Sequence, residues 1–236
     1  MRTTSISLIR EHTEAIRPPR ALWVPFELGR PLGPPGYPAF QMDVLRSALA
    51  LLDEPSTPVL RDYPHDAPRT DDGGVWACPL PAPAFPPAAT QSELRQQQLL
   101  AELRSLRPWY AEAASVSGRT AFGVSGLAAS AVDDAARALC AVAANEMPTV
   151  PDGATSPMPM LIRLLADDLK AFYFEAAAAQ PGSRRPSAQE FNHWLFHETV
   201  LGGVLYDVRD SLLRDDDPGV QLAGRFLVPA AFSHRA

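Results

Sequence analysis

The chain is expected to be an α+β protein: a small N-terminal α/β segment with an incomplete parallel sheet, followed by a mostly α-helical bundle. Three observations carry this. Two short apolar or β-branched runs near the N-terminus are each followed by a helical pattern, the rhythm of an α/β layer. A proline-dense stretch then interrupts regular structure. Beyond it, leucines and aromatics recur at helical spacing almost to the C-terminus.

In chain order, residues 4–9 alternate and are rich in β-branched and apolar types, which predicts a strand. A short helix is expected over 11–16, ended by Pro18 and Pro19. Ala21 to Phe26 is a compact apolar run and a buried-strand candidate. The loop from Glu27 to Pro38 holds three Gly and four Pro, too much punctuation for regular structure. Phe40, Val44, Leu45, Ala48, Leu49, Leu51 and Leu52 predict a helix with a broad apolar face. Residues 1–55 are thus expected to form the α/β segment. Residues 56–90, dense in proline, are read as a linker, and residues 91–236 as the helical domain.

Within the helical domain, a helix is predicted over 92–106, broken or restarted at Pro108, with Trp109 and Tyr110 in the core. Residues 119–124 suggest a short extended segment. The Ala-rich stretch 130–144 predicts a helix stopped by Asn145, and 160–180 a long one. Ser187 with Glu190 is a capping-box pattern, opening a helix expected to reach about Arg214. Asp215, Asp216, Asp217 and Pro218 should end it and cap another that runs to about Leu227.

Composition narrows the function classes. In 236 residues, 46% are apolar and 20% charged, ordinary for a globular protein. The net charge of −6 argues against nucleic acid and against an anionic membrane surface, both of which need clustered cations. Lys170 is the single lysine. Cys78 and Cys140 are far apart and form no Cys-x-x-Cys pair, against a disulfide scaffold, a zinc ribbon or a thioredoxin-like site. No stretch has the length of a membrane span, and no signal peptide is evident, so a cytoplasmic location is expected.

The stretch from Thr3 to Leu52 resembles the selenoprotein B family, which includes subunits of glycine, sarcosine, betaine and D-proline reductases. The pieces that carry the resemblance are Arg10-Glu11-His12-Thr13-Glu14, Pro18-Pro19-Arg20-Ala21-Leu22 and Val24-Pro25-Phe26-Glu27-Leu28-Gly29-Arg30-Pro31-Leu32-Gly33. It looks like the segment downstream of that family's redox-active residue. The helical part looks, more weakly, like a C-terminal extension of longer relatives, around Arg107-Pro108-Trp109-Tyr110, Val124-Ser125-Gly126-Leu127 and Asp167-Asp168-Leu169-Lys170-Ala171.

The resemblance implies reductive chemistry on a small amino-acid-like substrate by a thiolate or selenolate. In the family, a selenocysteine or cysteine precedes the strand matching residues 5–9. Met1 stands almost at that strand, and neither Cys78 nor Cys140 matches the nucleophile position. The expectation is therefore a protein partner that supplies the Cys/Sec redox motif. Otherwise the true start lies further upstream, or the chain is a relic of such a subunit. No cofactor is assigned, since the pyruvoyl group of the known reductases belongs to another subunit.

Candidate residues follow. His12 and Glu14, just after the first strand, are the catalytic candidates, with His12 as acid/base or polarising group beside the partner's thiolate. The plainer alternative is a short solvated helix with carboxylates near its N-terminus. Glu27, Gly29, Arg30 and Gly33 are the substrate-binding candidates: the glycines permit close approach, and Arg30 suits a carboxylate. The alternative is a loop locked by a Glu27–Arg30 pair. His193 and His197 at i, i+4 are metal candidates, with Glu175, Asp207 and Asp210 as completing carboxylates; helical histidines without metal are common. Cys140, Trp109, Tyr173 and Trp194 read as core. Two other functions stay open: a non-catalytic helical interaction protein, and a metal-dependent helical enzyme using His193 and His197.

Overall fold

In the computed structural model, residues 2–68, 76, 78, 80, 90–180 and 186–232 are described. The chain divides into two compact units, Met1–Gly73 and Gly74–Ala236.

The N-terminal unit is a small α/β layer. Strand β1 (Ser5–Ser7), helix α1 (Arg10–Ile16), strand β2 (Arg20–Trp23), helix α2 (Pro38–Ala50) and strand β3 (Val59–Asp62) follow one another. The sheet is parallel in the order β1-β2-β3, with Ser5 opposite Ala21 and Ala21 opposite Leu60. The central strand is apolar because it is covered on both faces: Ala21, Leu22 and, just past its end, Val24 are buried. Val44 and Ala48, one turn apart on α2, pack with Leu22, Val24, Phe26, Leu51 and Tyr63 into this unit's core. The apolar face of α2 is narrower than its composition suggests, for Met42 and Leu49 are exposed.

The third strand corrects the linker reading at residues 59–62. Its four residues lie between Pro58 and Pro64 and end on charged Arg61 and Asp62, so no local pattern announces them. They pair with β2 through contacts remote in sequence. The rest of the 56–90 linker expectation falls largely outside the described residues. Trp76 and Cys78, which are described, are buried in the core of the helical unit.

The helical unit contains α3 (Gln91–Ser117), α4 (Val132–Ala143), α5 (Met158–Ala178), α6 (Ala188–Glu198), α7 (Val200–Leu213) and α8 (Pro218–Arg225). The long helices α3 and α5 pack against each other, α4 lies against α3, α5 and α7, and α8 against α7 and α5. Its core includes Leu99, Leu103 and Leu106 of α3, and Leu165, Leu169, Phe172 and Tyr173 of α5.

Three departures from the expected helices have physical causes. Helix α3 runs straight through Pro108. An interior proline costs on the order of 3 kcal/mol, here offset by the flanking Leu106 and Tyr110, both buried; Tyr110 stacks on Phe172 at 4.4 Å. The predicted helix from 188 to 214 is two helices. Thr199 is extended (φ −107°, ψ 154°), and its hydroxyl caps α7 by accepting from the Gly202 N–H at 3.0 Å. Residues 119–124 form no strand; side chains of α5 hold them as a loop.

The expected stops and caps are present where sequence chemistry dictates them. Asn145 takes φ +57° after α4. Ser187 and Glu190 form the capping box of α6, and Asp217 caps α8 by accepting from the Gly219 N–H.

Candidate functional site

In an open parallel sheet, polar residues past the carboxyl ends of the strands are the first place to look for a site. In the N-terminal unit these ends lead into α1, into the loop 24–37 and into residues 63–68. The ladder continues past them: the Val24 N–H donates to the Ser7 carbonyl at 2.9 Å, and the Tyr63 N–H to the Trp23 carbonyl at 2.8 Å.

His12 and Glu14 are exposed on α1. Glu14 pairs with Arg10, whose Nε also donates to both carboxylate oxygens of Asp62 at 3.0 and 3.1 Å. These two carboxylates hold the Arg10 guanidinium above its usual range, Asp62 contributing most. Glu14, Arg10, Thr13 and Arg17 also line a shallow cavity of about 260 Å³ with Pro18 and residues 58–60. His12 has no hydrogen-bond or ion-pair partner among the described residues.

Glu27 and Arg30 face each other at 3.3 Å, so the loop does pair them. Backbone hydrogen bonds tie it further: the Arg30 N–H donates to the Glu27 carbonyl and the Gly33 N–H to the Arg30 carbonyl, at 3.0 and 2.9 Å. Gly29 (φ +87°) and Gly33 (φ +81°) both adopt left-handed backbone. At Gly33 a Cβ would stand 2.7 Å from the Phe40 ring, so that glycine also makes room for the aromatic cluster beneath the loop. Among the described residues, no hydrogen bond or ion pair joins His12 or Glu14 to residues 27–33.

Three residues at this edge have no counterpart among the sequence candidates. The Tyr63 hydroxyl donates to an Asp43 carboxylate oxygen at 2.6 Å, and the His65 ring meets the Tyr63 ring edge-on at 5.5 Å. Burial, and next the neighbouring Asp43, push the Tyr63 phenol up to about 12, so it remains a donor. Tyr63 also contacts Phe26 and Phe40, at 5.8 and 5.9 Å between ring centres. The only available signal was Tyr63 and His65 just past a four-residue apolar-to-polar stretch, within a segment whose prolines read as linker.

In the helical unit the His193 and His197 rings lie 4.9 Å apart, as i, i+4 spacing requires, and His193 Nδ1 is 3.4 Å from Glu198. The carboxylates expected to complete a metal site lie elsewhere. Glu175 accepts from the Thr120 hydroxyl and the Ala121 N–H, Asp207 pairs with Arg95, and Asp210 with Arg209. No group of three or more metal-type side chains occurs among the described residues. Position on α5 and α7 turns these carboxylates toward nearer donors. His193 and Glu198 do line a cavity of about 400 Å³ with Trp76, Cys78, Glu190 and Trp194.

Cys78 and Cys140 are buried free thiols. Burial pushes each up to about 11, which leaves them un-ionised at neutral pH. Tyr173 and Trp194 are core, as expected, and Trp109 packs at its margin. The Trp194 indole N–H donates to the Cys78 carbonyl at 2.9 Å.

Two buried carboxylates of this unit each accept several hydrogen bonds, with Ser125 and Thr199 as the other buried polar side chains among its described residues. Asp168, with no exposed surface, accepts from the N–H groups of Gly123, Val124 and Ser125 at 2.7, 2.9 and 3.2 Å, and from the Ser125 hydroxyl. Glu102 on α3 accepts from the Tyr173 hydroxyl at 2.8 Å and from the Val200 and Leu201 N–H groups at 2.8 and 3.3 Å, at the first turn of α7. These arrangements fasten elements together: Asp168 accepts four hydrogen bonds and Glu102 three. Among the described residues, no helix is long and apolar enough to cross a membrane.

Compared with protein-family models, with curated proteins and with solved structures, the chain matches none.

Proposed function

We propose that this chain is a cytoplasmic subunit of a selenoprotein-B-like reductase, lining a site that a thiol- or selenol-bearing partner chain completes, with a small amino-acid-like compound as substrate. One observation supports it above the others. The stretch resembling that family lies, together with β3, in one compact unit whose three strands are parallel, and their carboxyl ends lead into α1, the loop 24–37 and residues 63–68. Both cysteines lie outside this unit, at 78 and 140, and burial suits neither to nucleophilic work. In this reading the thiolate at this edge comes from the partner chain.

In this reading Arg30 receives the substrate carboxylate, exchanging its exposed partner Glu27 for a bidentate contact. The test is thiol-dependent reductive cleavage of glycine, sarcosine, betaine or D-proline by the chain combined with its partner. Arg30→Ala is expected to raise KM by about tenfold or more, the scale of one lost charged contact. Unchanged kinetics would remove Arg30 from the site. Failure of any thiol- or selenol-bearing chain to associate would remove the reading itself.

A second reading, a non-catalytic interaction protein, is favoured by the closure of Arg30 on Glu27. It predicts a partner complex that forms without any such reductase activity.

A further inference from the structure

Resting on the reductase reading above, we infer that His65 is the imidazole that faces the partner's thiol at the sheet edge and takes its proton. His65 follows the carboxyl end of β3 by three residues and is exposed. Its ring meets the Tyr63 ring edge-on, and among the described residues both imidazole nitrogens lack hydrogen-bond partners.

That ring contact is a firm platform. Tyr63 is fixed through its backbone N–H to Trp23, through its hydroxyl to Asp43, and through its ring to Phe26 and Phe40. A group that must meet a reactive atom needs such support, because small displacements cost rate. His12 shares the exposure and the absence of polar partners, but no ring contact holds its imidazole in place among the described residues. The cations at this edge have carboxylate partners: Arg10 has Asp62 and Glu14, and Arg30 has Glu27. The titratable group in contact with His65 is Tyr63, which bonds Asp43 of α2; Asp62, paired with Arg10 of α1, and Asp66 are near it in the chain.

The step moves one proton. The partner's S–H bond breaks, an N–H bond forms on the imidazole, and a thiolate faces an imidazolium. No electrons change hands. The thiolate is the species that attacks or reduces. Tyr63 does not compete, since its own proton is committed to Asp43.

The experiment uses the full chain in complex with its thiol-bearing partner and follows alkylation of that thiol by iodoacetamide from about pH 5 to pH 9, around the free-thiol range. In His65→Ala the complex should still form, while alkylation at pH 7 slows about tenfold as the profile moves toward an unassisted thiol. An unmoved profile in His65→Ala overturns the inference, as does a profile that moves only in His12→Ala. A partner whose reactive group is a selenol, ionised at neutral pH unaided, also overturns it. In all three cases the subunit reading stands. If no such partner associates, both fall.

Discussion

The two units differ in how they hold carboxylates, although Arg20 is buried in the first and pairs such as Arg137–Asp134 are exposed in the second. In the N-terminal unit, the ion pairs Arg10–Asp62, Arg10–Glu14 and Glu27–Arg30 stand at the rim, with side chains roughly half exposed. Such pairs contribute little to stability and exchange partners readily. In the helical unit, Asp168 and Glu102 are buried and accept four and three hydrogen bonds from segments distant in sequence. They act as fasteners, and removing one strands several buried donors at once. A rim of replaceable pairs suits an edge that meets a ligand or a partner, and buried fasteners suit a scaffold.

The sharpest way to break this comparison is Asp168→Ala. Four donors, three of them backbone N–H groups of the loop 123–125, would lose their acceptor. The expected loss is on the order of 3 kcal/mol or more, read by denaturant unfolding of the helical unit. A loss below about 1 kcal/mol, the scale of an exposed pair, would erase the contrast.

Next in size is a pair of glycines on α7. At Gly202 a Cβ would stand 2.1 Å from the Leu195 carbonyl oxygen, where α6 and α7 meet. Gly202→Ala should therefore cost about 2–3 kcal/mol through a forced backbone shift. At Gly203 a Cβ meets nothing within 4 Å, and Gly203→Ala should stabilise by about 0.5–1 kcal/mol from helix propensity. Opposite signs in thermal melts would sharpen the picture; equal signs would refute the packing argument at Gly202.

The smallest effect is one of pH. Burial raises the Glu102 carboxyl above its ordinary 4.5, although the Val200, Tyr173 and Leu201 donors partly offset this. The fold then binds the proton more tightly than the unfolded chain. The contribution to stability is fully present below 4.5 and is lost as pH rises through the folded value. Glu102→Gln should flatten that part of the stability–pH curve. A slope that survives the substitution belongs to another group.

How much of this was legible in the sequence follows from what each element depends on. Helix ends were readable where local chemistry sets them, as at Ser187, Asn145 and Asp217. Elements set by remote contacts were not. Strand β3 has no apolar alternation, and it exists because β2 offers it a ladder. The break at Thr199 has neither proline nor flanking glycine before it; its first free N–H groups are answered by Glu102, about a hundred residues earlier in the chain. The edge residues Tyr63, His65 and Asp43 were missed with β3, since a site at a strand's end is invisible until the strand is known. His12, Glu14, Glu27, Gly29, Arg30 and Gly33 could be named from their places just after the first two expected strands. Their exposure and the Glu27–Arg30 pairing required coordinates.

Glu102 has one more consequence, in the time domain. The first amides of a helix ordinarily fray and exchange with solvent hydrogen quickly, for they lack acceptors within the helix. Here the amides of Val200 and Leu201 find theirs on α3, so they open only when α7 parts from α3. Exchange at these two amides is therefore expected to be slower than is usual for a first helical turn and to report on the parting of α7 from α3.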